Sequence, residues 1–194
     1  MAYILASASP RRRELMPMLG ITEFEIVPAV LPEPEAAGLS PEKAVERIAR
    51  GKAEEVAGKY PEDVVIAADT LVYSDGAALG KPKDAADAAR MLRALSGRSH
   101  EVWSGAAVAV RGRLLTAAEC TRVEFRPLSE EEIAAYIATG EPMDKAGAYG
   151  IQGRASVMIR GICGDYYNVV GFPLCRIHEM LRELGALPEK EGTE

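Results

Sequence analysis

The chain has 194 residues, 48% hydrophobic and 27% charged, with a formal net charge of −6 and a pI near 5.2. That length can bury a core without staples, and the acidic balance argues against a DNA or RNA partner while allowing a small anion at a local basic cluster. No apolar run approaches the roughly 18 residues of a membrane span, and no basic-then-apolar leader opens the chain.

Three cysteines, Cys120, Cys163 and Cys175, are widely spaced, with no C-x-x-C. They read as reduced, buried thiols in a cytoplasmic protein, outside any disulfide framework or zinc site. The two histidines, His100 and His178, are too few for a histidine-rich centre. A metal, if used, is expected to be hard and oxygen-bound, Mg²⁺ or Mn²⁺.

Tyr3 to Ala6 reads as a short buried strand, and Ser9-Pro10 as a helix N-cap and first helical position. Arg11, Arg12 and Arg13 follow at once. Positive charge at a helix N-terminus opposes the dipole, so the arginines make sense beside an anion, most simply phosphate. Successive residues turn by about 100° on a helix, so the three arginines cannot all face one ligand, and Arg13 is expected to be the one that points away. Pro17 shortens or kinks this helix.

Phe24 to Val27 is a strand, followed by a Pro/Glu-rich loop from Val30 to Leu39 that carries Glu33 and Glu35. Ser40-Pro41 opens a helix to about Ala57, and Gly58 can end it. Lys52 lies on this helix. Val64 to Ala68 fits a central strand buried on both faces. It ends at Asp69-Thr70, then continues through Tyr73 into a hairpin at Ser74-Asp75-Gly76. A carboxylate at such a strand end can be a general base toward water, a metal ligand, or simply a turn residue.

Gly80-Lys81-Pro82 holds Lys81 in a restricted backbone, and it is not a P-loop. Asp84 caps a helix to about Leu95. Glu101 to Val110 and Leu114 to Phe125 form a long hairpin, and Ser129 with Glu132 makes a capping box. Gly140 to Gly153 is a glycine-rich loop whose Gln152 offers a donor and an acceptor together, suited to a nucleobase edge. Ala155 to Ile159 is a strand and Pro173 to Leu184 the last helix, with the tail after about Pro188 frayed. The whole is an α/β fold with a mixed sheet.

Several of these segments together carry one resemblance. They are S-x-S-P-R-R-x-E-L at Ser7 to Leu15, A-D-T at Ala68 to Thr70, G-K-P at Gly80 to Pro82, S-G-R-x-H at Ser96 to His100, the Gly140–Gly153 loop, and N-V-V-G-x-P at Asn168 to Pro173. The chain resembles the Maf family of nucleoside triphosphate pyrophosphatases along nearly its whole length. It is most similar to the branch acting on dTTP and UTP, whose specificity positions correspond to Arg11, Thr70 and Gln152.

The resemblance implies an elongated mixed sheet flanked by helices, similar to inosine triphosphatases, with residues 1–194 as one domain of two lobes and a central cleft. It implies Asp69 as proton acceptor and Ser7, Arg12, Lys52 and Lys81 on the phosphate side. A divalent metal (Mg²⁺ or Mn²⁺) is implied, with Glu33 and Asp69 as its carboxylates, and so is a homodimer. The expected reaction releases pyrophosphate from dTTP, UTP or modified pyrimidine nucleotides. The alternative is a nucleotide-binding regulator of septum formation and cell division without turnover. Tyr167, where a small residue is more usual, and the early Pro17 are departures from the pattern.

Overall fold

The computed structural model describes residues 1–30 and 38–188. Glu33, Glu35 and the tail beyond Pro188 lie outside the described residues. The strands are β1 (Tyr3–Leu5), β2 (Glu25–Ile26), β3 (Val64–Ser74), β4 (Ala77–Leu79), β5 (Ser99–Val110), β6 (Arg113–Phe125) and β7 (Ile159–Cys163). The helices are α1 (Pro10–Leu15), α2 (Pro41–Ala57), α3 (Ala85–Leu95), α4 (Glu130–Ile137), α5 (Tyr166–Val170) and α6 (Leu174–Leu184). They build the expected mixed α/β sheet with helices packed on it. Strand order is β2-β1-β3-β5-β6-β7, with β4 paired to β3. β1 lies parallel to both β2 and β3, whereas β4 on β3 and β7 on β6 are antiparallel. No described helix is long and apolar enough to cross a membrane.

The chain forms two compact units. The first holds residues 1–69, 104–119 and the chain from 171 onward. Its core sets Ala49, Ala53 and Val56 of α2 against Ile4, Val65, Ala67, Ala107 and Ala109 of the sheet. Alanines let the helix come close to the strands, and Gly105 on β5 lies directly against the α2 backbone. A Cβ there would collide with the Val45 carbonyl.

The second unit holds residues 70–103 and 120–170. Its core joins Met91, Leu92 and Leu95 of α3, Ile133 and Tyr136 of α4, and Val102, Val123 and Phe125 of the sheet. His100 is buried there, edge-on to both Phe125 and Tyr149, with its Nε2 2.8 Å from Tyr149 Oη. Burial alone pushes its imidazole down to about 4.

Most end signals act as read. Ser40 accepts from Lys43 N–H, Asp84 from Asp87 N–H, and both bonds of the Ser129–Glu132 capping box form. Ser9 is the N-cap of α1 and Pro10 its first residue, as expected, though the Ser9 side chain makes no cap bond and its N–H donates to Ser7 Oγ. Four expectations need correction. β3 runs unbroken to Ser74, so Asp69 is mid-strand, where burial falls off, and not at a strand end. The Gly140–Gly153 stretch is not plain loop, because 3₁₀ turns occupy Glu141–Asp144 and Ala146–Ala148.

Residues Arg154–Met158 form a 3₁₀ helix, and the strand begins only at Ile159. The buried pair Ala155 and Met158 is three apart, the period of that helix, while Val157 between them is exposed. Finally, the thiols are not all buried. Cys163 on β7 and Cys175 on α6 are exposed, and Cys120 is half-buried.

Candidate functional site

The parallel register of β1 on β3 pairs Leu5 with Ile66, and Ala6 N–H donates to Ile66 O at 2.8 Å. The chain therefore leaves β1 at Ser7 beside Ala68, and α1 starts there. α1 has six residues, ending where Pro17 and a 3₁₀ turn (Met16–Leu19) take over. So short a helix contributes little dipole. The charge of this corner comes from its side chains.

Arg12 is the hub. Its Nε donates to Gly171 O at 2.9 Å, and its Nη1 donates to Ala68 O at 2.7 Å and to Ser7 Oγ at 3.1 Å. Ser7 is buried, and its Oγ also accepts from Ser9 N–H at 3.2 Å. Gly171 presents that carbonyl from a φ of +103°, a conformation L side chains avoid. Arg12 thus ties three distant pieces of chain together while remaining half-exposed. Arg11 is half-exposed and Arg13 exposed.

One residue beyond Ala68, Asp69 Oδ1 accepts from Lys52 Nζ at 2.7 Å, with both side chains largely withdrawn from solvent. Lys52 reaches it from α2, beside the Ala49–Ala53–Val56 face. Ser7, Arg12, Lys52 and Asp69 are therefore brought together in the first unit. Two cationic side chains, a buried hydroxyl and a carboxylate meet there at the exit of a parallel β1–β3 pair.

Thr70, Lys81 and Gln152 belong to the second unit. Thr70 is half-buried on β3; Lys81 and Gln152 are exposed. Gly147 N–H donates to Gly80 O at 3.0 Å, which ties the backbone beside Lys81 to the segment leading to Gln152. Sequence reading missed one contributor, the Gly171 carbonyl: the N-V-V-G-x-P motif marks its segment but not its bond to Arg12. Among the described residues no group of three or more His, Cys, Asp or Glu side chains could hold a metal.

A family model described as Maf-like protein matches residues 2–184. The chain belongs to the Maf family. Among its curated Maf relatives is a protein of Koribacter versatilis (strain Ellin345) named dTTP/UTP pyrophosphatase, 52% identical over 187 residues, 96% of each chain. A protein of Geotalea uraniireducens (strain Rf4) with the same name is 54% identical over 186 residues, 95% of each chain. The Maf fold here is also like that of a HAM1 protein from Coxiella burnetii. The TM-score is 0.53 at 18% identity, covering 94% of this chain and 100% of that one.

Proposed function

We propose that this Maf protein hydrolyses dTTP and UTP to the nucleoside monophosphate and pyrophosphate. The Lys52–Asp69 pair beside the Ser7–Arg12 corner carries the reading, in a chain about half identical to proteins named for that activity. Water attacks the α-phosphorus, and the bridging oxygen leaves with pyrophosphate. Lys52 engages Asp69 Oδ1, and the Asp69 carboxylate is the group that takes the proton from water. Ser7, Arg12, Lys52 and Lys81 serve the phosphates and offset charge on the leaving group. Arg11, Thr70 and Gln152 select the base.

A magnesium-type ion keeps several waters and shares one or two carboxylates with substrate phosphates, so it needs no cage built wholly of protein. Asp69 would hold it, with Glu33 as the second carboxylate. When bound, such an ion neutralises triphosphate charge. A homodimer belongs to the same reading and is tested by light scattering. So does work in the cytoplasm, which suits exposed, unpaired Cys163 and Cys175.

The test is pyrophosphate release across a nucleotide panel with Mg²⁺ or Mn²⁺. Turnover led by UTP and dTTP, and abolished by chelation, supports the proposal. Tight binding without release from any triphosphate overturns it in favour of the nucleotide-binding regulator.

A further inference from the structure

Gln152 sits on a tight turn. Gly153 N–H donates to Gly150 O at 3.1 Å, placing Ile151 and Gln152 at the two corners. Both ends of this turn are held by one pair of side chains. Gly150 N–H donates to Tyr136 Oη at 3.3 Å, and Arg154 N–H donates to Glu141 Oε2 at 3.0 Å. Tyr136 Oη in turn donates to Glu141 Oε1 at 2.9 Å, which closes the circuit.

The carboxylate also fills the space beside the turn. A Cβ on Gly153 would collide with Glu141 Oε1, so a larger residue there would displace the carboxylate from its present seat. Glu141 itself is fixed from behind. Its N–H donates to Thr139 Oγ1 at 3.1 Å, and its carbonyl accepts from Lys145 Nζ at 2.9 Å.

We propose that Tyr136 and Glu141 are positioning residues for substrate selection: they clamp the Gly150–Gly153 turn so that the Gln152 amide is presented in one orientation to a nucleobase edge. This rests on the reading of Gln152 as a base-selecting residue. A glutamine on an unbraced exposed turn would lose conformational freedom on each binding event. A turn anchored at both ends has already lost it. Tyr136 is suited to the work because burial, and then its bond to the carboxylate, push its phenol far above the ordinary value. Its proton stays in place to bridge to Glu141. Neither residue touches the reacting atoms.

The experiment compares UTP with CTP, by turnover and by equilibrium binding, in Tyr136→Phe, Glu141→Gln, Gln152→Ala and the doubles with Gln152→Ala. Loss of one anchoring hydrogen bond should raise the KM for UTP about five- to tenfold and lower the preference for UTP over CTP by the same factor. The fall in kcat should be smaller. Exchange of the Gly150 and Arg154 amides should quicken in both single variants. In the Gln152→Ala background neither substitution should reduce the preference further, because the side chain it orients is gone.

Tyr136 is part of the core, so Glu141→Gln, at the half-exposed end of the circuit, is the milder probe. Unchanged preference in a variant whose turn amides exchange faster overturns the proposal, as do losses that multiply with that of Gln152→Ala. If Gln152→Ala leaves the preference intact in an active enzyme, the reading of Gln152 fails and the clamp's role with it. If the wild-type protein turns over no triphosphate, the activity reading fails alone, and dissociation constants for UTP and CTP decide the clamp.

Discussion

Lys52 Nζ donates to Asp69 Oδ1 over 2.7 Å, and the two side chains keep only 19% and 17% of their exposure. An ion pair so shielded is screened little by salt. It ties the carboxylate to α2 through one of its two oxygens. Asp69→Asn keeps the shape and removes the base. It should lower kcat by about 10² to 10⁴ while nucleotide affinity stays near wild type. Lys52→Met should weaken both binding and turnover, because it removes a phosphate-side charge and leaves a carboxylate without its partner. Paired measurement of pyrophosphate release and equilibrium binding separates the two, and near-normal turnover of Asp69→Asn would sink the base assignment.

Arg12 and Arg13 are neighbours with opposite expectations. Arg12 donates to three oxygens at 2.7–3.1 Å, one across 159 residues of chain. Lysine cannot reproduce that fork. Arg12→Lys should destabilise the protein by about 2–3 kcal/mol and lower kcat/KM, since the Ala68 and Gly171 carbonyls lose a charged donor. Arg13 is exposed, so Arg13→Ala should stay within about 0.5 kcal/mol and leave the KM alone. Denaturant midpoints and steady-state kinetics on the two variants check this directly.

The same corner shows what the sequence could tell. Strand, turn, Ser-Pro helix start and the outward Arg13 were all readable, because each follows from local sterics or the helical repeat. So were the caps at Ser40, Asp84 and Ser129, which act over three residues. Arg12's carbonyl partners were not readable: they lie 56 and 159 residues away, Ala68 on β3 and Gly171 in the turn before α6, and no local pattern carries such a pairing. Asp69 was placed at a strand end because the apolar run stops there. The backbone continues as strand regardless of burial. Ala155 to Ile159 reads as strand from the sequence because a short apolar run has no decisive period. Arg154–Met158 instead buries one side of a 3₁₀ turn.

Gly105 is where β5 meets the backbone of α2. A methyl group there would clash with the Val45 carbonyl and come within 2.8 Å of Glu46 N. These are backbone atoms, so relief requires the helix to move. Gly105→Ala should therefore destabilise by about 2 kcal/mol or more. It should also disturb activity, because α2 carries Lys52 to Asp69. A thermal midpoint unchanged by Gly105→Ala would show that α2 can shift outward freely.

His100 sets a pH dependence of stability. Its folded pKa is depressed to about 4 by burial, below the ordinary value of about 6.5 for an unfolded histidine. The unfolded state therefore binds the extra proton first. Stability is full above about pH 6.5 and falls as pH drops toward 4, by up to about 3 kcal/mol in all. Glu132, held down to about 2 by its bond to Arg126, acts below that window, since a carboxylate ordinarily titrates near 4.5. The interval between about pH 6.5 and 4.5 thus belongs mainly to His100. His100→Phe should flatten the stability profile there, even though it forfeits the 2.8 Å contact with Tyr149 Oη and lowers stability at neutral pH. Urea midpoints measured from pH 7 to 4.5 on both proteins provide the check. An equally steep decline in His100→Phe would assign the acid sensitivity to other groups.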